Sequence, residues 1–144
     1  MLKIIGLLGF VAVMAGCATT PPSMSEIKTA PQDRLLAYQN KTGSTTSKLV
    51  VTRDVGHLGS GCFYALSINN VLSARLDTAE TASFYVEPGE LLLRTGRDPS
   101  GKGLCGIGKD DWTQRETVLR AGETKMFRMT IDMNGKTDIQ RSDN

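Results

Sequence analysis

The chain has 144 residues, 17 basic against 15 acidic side chains, a formal net charge of +2, and 40% hydrophobic residues. A near-balanced chain with no long block of one charge excludes a nucleic-acid-binding arm or a polybasic lipid-binding tail. Its length suits one ordinary domain with its own core, plus a short appendage.

The appendage is at the start. Lys3 supplies a short positive region, an apolar run follows from Ile4 to Met14, and the small residues Ala15 and Gly16 stand directly before Cys17. This is the layout of a secretory signal peptide. The run is about eleven residues, against the roughly 20 that a membrane-spanning helix needs. Met14-Ala15-Gly16-Cys17 resembles the lipobox of bacterial lipoproteins. The resemblance implies that the Cys17 thiol receives a diacylglyceryl group, that residues 1–16 are cut away, and that the new amino terminus is acylated too. Several acyl chains hold a protein stably in a membrane, where one does so only marginally. Ala18, not Asp, follows the cysteine. In enteric-type Gram-negative bacteria an Asp there resembles an inner-membrane retention signal. The expected location is therefore the outer membrane, facing the periplasm.

Residues 17–30 are small, polar and proline-containing and read as a flexible tether; residues 31–144 form the domain. Residues 31–40 read as a short helix, with Pro31 suited to a first helical position and Asn40 to a terminus. Leu35, Leu36 and Tyr38 would pack on the domain. From Lys48 the period changes to two. Strands are expected at 49–53, 62–68, 71–76, 81–86, 91–95, 113–119, 125–131 and 136–140. Between them lie turn signals: the Gly-rich stretch around His57, Asn69-Asn70, Pro88-Gly89, Ala121-Gly122 and Asn134-Gly135. Residues 96–111 form a long Gly-rich loop. About seven to eight short strands at close spacing argue for an all-β, antiparallel β-sandwich.

After loss of the leader, Cys62 and Cys105 are the two cysteines that remain beyond Cys17. In an exported chain such a pair is a candidate disulfide, anchoring the long loop to the Cys62 strand. His57 with Cys62 and Cys105 could instead supply three metal ligands, but cysteine-based zinc sites bring their ligands as close pairs, absent here. A Cys–His nucleophile pair would need a free thiolate. Ser60 with His57 has no G-x-S-x-G elbow around it. Gly101-Lys102-Gly103 lacks the Lys-Ser/Thr and following helix of a phosphate loop. Asp110 and Asp111 would point to opposite faces on a strand and read as a solvated turn before Trp112. Trp112, the sole tryptophan, either caps one end of the sandwich or joins Leu104 and Ile107 in an exposed apolar patch suited to a partner. No cofactor or metal is expected.

Several stretches carry a further resemblance: Val51-Thr52-Arg53-Asp54 before a Gly-rich turn, the Cys62 strand leading to Asn69-Asn70, the run from Phe84 to Leu91 through Glu87-Pro88-Gly89-Glu90, and Leu119-Arg120-Ala121-Gly122-Glu123-Thr124. Together they resemble small bacterial lipoprotein domains of unknown function with a PEGA-like or transthyretin-like β-sandwich. That resemblance implies a fold and supplies no catalytic residues. The expected function is a non-enzymatic binding or interaction module of the cell envelope, docking on another envelope protein. The alternative is a small-ligand or glycan binder that uses loop 96–112. Oligomeric state is left open.

Overall fold

The computed structural model describes residues 18–142; the signal-peptide reading of residues 1–16 and the acylation of Cys17 lie outside the described residues. Nine strands follow in order: β1 Lys28–Thr29, β2 Ser47–Arg53, β3 Tyr64–Ile68, β4 Val71–Leu76, β5 Glu80–Val86, β6 Gly89–Arg97, β7 Trp112–Leu119, β8 Thr124–Ile131 and β9 Thr137–Ser142. They form a five-stranded sheet, ordered β1-β5-β2-β8-β9, and a four-stranded sheet, ordered β4-β3-β6-β7. Among the described residues no helix is long and apolar enough to cross a membrane.

The expected all-β sandwich is what the chain forms, and alternation explains why. On β2, Leu49 and Val51 face inward; on β5, Ala82, Phe84 and Val86; on β8, Phe127, Met129 and Ile131. From the other sheet come Tyr64, Leu66, Ile68, Leu91 and Leu93, completing one core. A period of two places every second side chain on one face, so each strand has one apolar side to bury. The Asn69-Asn70 turn joins β3 to β4 with both residues at positive φ, 49° and 64°, the geometry that a two-residue hairpin requires.

Three features differ from the sequence expectation. First, there are nine strands, and two pairings are parallel: β1 with β5, and β2 with β8. Periodicity fixes which face a residue occupies, not which strand lies beside it. Second, the ten-residue helix at 31–40 reduces to a 3-10 turn at Gln32–Arg34. The backbone there is claimed by neighbours: Leu36 and Ala37 N–H donate to the Ser73 carbonyl (2.9 and 3.3 Å), and Tyr85 N–H donates to the Tyr38 carbonyl (2.8 Å). An isolated helix this short is marginal, so these contacts win. Leu35 and Tyr38 still pack on the core, whereas Leu36 is exposed. Third, the stretch read as a tether lies on the domain. Thr20 exchanges main-chain hydrogen bonds with Val55 (2.9 Å each), and Lys28 and Ala30 donate to Ala79 and Thr81.

The two sides of the sandwich are closed differently. On one side, residues 30–39 cross from the β5 edge to the β4 edge, fixed by a bidentate Arg34–Glu80 pair (2.5 and 2.6 Å) and by Tyr38 Oη donating to the Ile68 carbonyl. On the other, side chains link the β7 and β9 edges. Thr113 Oγ1 donates to the Thr137 carbonyl (2.6 Å), Thr137 Oγ1 donates to the Thr95 carbonyl (3.1 Å), and Arg115 grips Asp138 with two bonds (3.0 and 2.9 Å).

Arg53 occupies an inward position on β2 and is 2% exposed. Its guanidinium donates to the carbonyls of Cys62, Leu76 and Gly59 (2.5, 2.9 and 2.7 Å) and lies 4.4 Å from the Tyr64 ring centroid. Burial pulls its pKa down to about 10, and Tyr64, Asp77 and Glu80 work against that. Arginine still stays charged at neutral pH. Replacing it with methionine (Arg53→Met) leaves three carbonyls without their donor, which costs about 3 kcal/mol; urea unfolding of the soluble mature chain measures this, and an unchanged midpoint refutes the role. Burial pushes the Asp138 carboxyl up, but hydrogen bonds from Arg115 and the Ile139 N–H outweigh it and hold its pKa below the ordinary value. A carboxylate depressed on folding stabilises above its unfolded pKa and loses that contribution as pH falls through the folded one. Acid titration of stability below about pH 4 should therefore be shallower in Asp138→Asn than in the parent.

Candidate functional site

All the longer loops at the β2 and β8 C-terminal end of the sandwich meet one another. Arg53 ties residues 59 and 62 to the end of β4. Gly59 packs against Tyr64 and Ile131 so closely that a Cβ there would lie 2.9 Å from Ile131 Cδ1. Arg97 Nη1 donates to the Leu104 carbonyl (3.0 Å), and its Nη2 lies 3.8 Å from where a Gly135 Cβ would stand. The end of β6, the long loop and the β8–β9 turn thus share one guanidinium.

The loop from Asp98 to Asp111 is held by its own backbone. Gly101 N–H donates to the Asp98 carbonyl (2.8 Å), Cys105 N–H to Lys102 (3.1 Å) and Asp111 N–H to Gly108 (3.1 Å), with a 3-10 turn at Gly103–Gly106. Only glycine fits at position 101, because a Cβ would sit 2.4 Å from the Cys105 carbonyl oxygen. Arg75 pairs with Asp98 at 3.2 Å. Cys62 and Cys105 form the expected disulfide, their Cα atoms 5.4 Å apart across a separation of 43 positions.

Trp112 neither caps the core nor stands free. It is half-buried and lies flat over its cross-strand partner Gly96, whose Cβ would meet the indole at 2.8 Å. Its Nε1 donates to the Lys109 carbonyl (3.1 Å), and the Arg94 guanidinium carbon lies 5.3 Å from the ring centroid. Beside it opens a cleft of about 660 Å³ lined by Arg97, Ile107, Asp110, Asp111, Trp112 and Lys136, with the Asn134-Gly135 turn as its far wall. Such a volume suits a small ligand, and polar groups of both signs converge on an aromatic surface. The structure therefore brings Trp112 and Ile107 together in one cleft. Leu104 belongs to the same loop but not to the cleft wall; both Leu104 and Ile107 are exposed.

The remaining candidates are placed as follows. His57 is exposed in its turn, and the Ser60 hydroxyl donates to the His57 main-chain carbonyl (2.8 Å). Both Cys62 and Cys105 sulfurs are in the disulfide, so neither is a thiolate in this form. Among the described residues no group of three or more His, Cys, Asp or Glu side chains is placed to hold a metal ion. Asp110 and Asp111 are exposed as expected of a turn, yet both line the cleft. Sequence reasoning placed Arg97 on the long loop, where it in fact ends β6, and missed Asn134 and Lys136, which reach the cleft from the β8–β9 turn. It also missed Arg53, whose signal was visible: a charged residue continuing the inward alternation of Leu49 and Val51.

Two outcomes follow. Gly96→Ala should push the indole off the strand and red-shift Trp112 emission; an unshifted spectrum contradicts the packing described. Replacing both cysteines by serine should cost up to about 4 kcal/mol by the chain-entropy model for a ring of this length, read from urea unfolding with and without reductant.

Comparison with models of known protein families finds none that matches this chain, and comparison with curated proteins finds no match.

Proposed function

We propose that this chain is a lipid-anchored, non-enzymatic interaction module of the cell envelope, held through acylated Cys17 at the periplasmic side of the outer membrane. The leader and lipobox-like residues support the address. A disulfide suits an oxidising compartment, and the resemblance to small lipoprotein β-sandwich domains is in keeping with it.

One observation carries the functional reading. A loop pinned by a disulfide, an ion pair and its own hydrogen bonds nevertheless turns Leu104 and Ile107 outward to solvent. Ordering a loop costs conformational entropy, and exposing large apolar side chains on it gains nothing for folding. Such a build suits a surface that engages something else. A lipid anchor raises the effective concentration of envelope partners, so modest contacts suffice. An envelope protein seated on this end is the first reading. A second is favoured by the cleft itself: a small polar ligand or glycan stacked at Trp112 between Arg97 and Lys136 on one hand and Asp110 and Asp111 on the other.

The test uses the exported protein in cells. Intact mass should show an acylated Cys17, and a photocrosslinker at Ile107 should capture a defined envelope component. Capture should fall several-fold on Trp112→Ala or on replacing both Cys62 and Cys105. If only abundant outer-membrane proteins are captured, unchanged by these substitutions, the interaction module is wrong. A purified domain that binds soluble glycan fragments, and loses them on Trp112→Ala, favours the second reading.

A further inference from the structure

The chain's first described residues are built into the end that carries the cleft. Thr19 N–H donates to the Ile131 carbonyl (3.1 Å), and Ile131 N–H returns a bond to Thr19 Oγ1 (2.8 Å). Gly56 packs under Thr19, where a Cβ would lie 2.9 Å from Cγ2. Ala18 opens on a groove of about 360 Å³ whose walls include Thr113, Lys136 and Thr137, and these same three residues also line the Trp112 cleft. Residue 19 thus belongs to the folded body, and Ala18 alone separates it from Cys17. Two trans peptide units span no more than about 7 Å between the Cα atoms of residues 17 and 19. A free linker over residues 17–30 would let the domain stand some tens of ångströms away and turn at will. This chain has no such freedom.

The same end bears the most exposed large apolar side chains of the domain's loops. Leu104 is 80%, Met133 65% and Ile107 62% exposed; among the described residues only Met24 exceeds them. They come from two different connections, the long loop and the β8–β9 turn. Lys102, Lys109 and Lys136 stand exposed among them, as do Asp110, Asp111 and Asp132. The signs nearly cancel, so apolar contact rather than charge must hold anything that binds there. A half-buried tryptophan at the margin suits the headgroup level of a bilayer, where aromatic rings with a polar handle collect.

We propose that this end lies against the leaflet holding the Cys17 acyl chains, with Leu104, Ile107 and Met133 entering its interface and the Trp112 cleft opening at headgroup level. The proposal rests on the lipid-anchored reading alone; it puts the leaflet, in place of an envelope protein, on Leu104 and Ile107, and so competes with the first reading of this end. The acylated full mature chain is reconstituted in zwitterionic vesicles carrying chain-brominated phosphatidylcholine, and intact mass first establishes acylation. In a Trp112→Phe background, Leu104→Trp and Met133→Trp should be quenched several-fold more than Val71→Trp, which opens β4 beside the Asn69-Asn70 turn at the opposite end. High salt should leave the difference unchanged. In the parent protein, hydrogen exchange at residues 102–109 and 132–135 should slow in vesicles relative to the unacylated Cys17→Ser form. Equal quenching at all three positions, with exchange unchanged, overturns the proposal while leaving the anchor in place. A single protein adduct at Ile107 in cells, without lipid contact, overturns it in favour of a protein partner. A chain whose Cys17 carries no lipid instead removes the reading beneath both.

Discussion

One buried guanidinium organises the loop end of this sandwich. Arg53 stands where alternation calls for a third apolar side chain after Leu49 and Val51, and the interior there is filled with main-chain carbonyls instead. Loops at the end of a sheet leave their backbone oxygens without ladder partners, and burying them unpaired is costly. A planar fork of donors on a long stem answers several of them at once. The carbonyls it holds belong to Gly59, Cys62 and Leu76, so Arg53 places the Cys62 sulfur, and through the disulfide it places the long loop. The same logic recurs at Arg97, which holds the Leu104 carbonyl beside the β8–β9 turn. Two arginines thus set where the exposed side chains of the end can stand.

Open sandwiches must also manage their edges, and here the solutions differ by side. The crossing at residues 30–39 covers the β5 and β4 edges with main chain, its Arg34–Glu80 pair sheltered beneath Phe63, whose ring centroid lies 4.5 Å from the guanidinium carbon. At the β7 and β9 edges, threonine hydroxyls and the Arg115–Asp138 pair do the bridging. Both keep strand edges from offering a bare template to another chain. They also explain why the N-terminal stretch is ordered: it replaces a missing edge partner.

Much of the fold was legible. Period-two patterning located eight of the strands, and paired asparagines at positive φ marked the β3–β4 hairpin because Asn tolerates that region. Two cysteines beyond the leader-like stretch marked the disulfide. What stayed hidden depends on partners distant in sequence. The parallel β2–β8 pair leaves no local trace, and β1 is two residues long, too short to alternate. The helix reading of 31–40 followed local propensity, which main-chain contacts to Ser73 and Tyr85 overrode. Of the cleft, Trp112, Ile107, Asp110 and Asp111 were visible as neighbours on one loop. Arg97 was legible as part of the same stretch, but Asn134 and Lys136 were not, because only the folded chain brings them to it.

The parallel pairing of β2 with β8 also sets a clock. Lys48 to Arg53 lie against Thr124 to Met129, so the middle of the larger sheet joins an early strand to one made almost last. Phe127, Met129, Ile131 and Ile139, all buried, come from that final portion. Pairings this remote are slow to form, because loop closure precedes any gain. The larger sheet thus stays divided, with β5 and β2 on one part and β8 and β9 on the other, until β2 meets β8. The order of strands across the sheet thereby makes its closure a late, long-range event of folding rather than a local one.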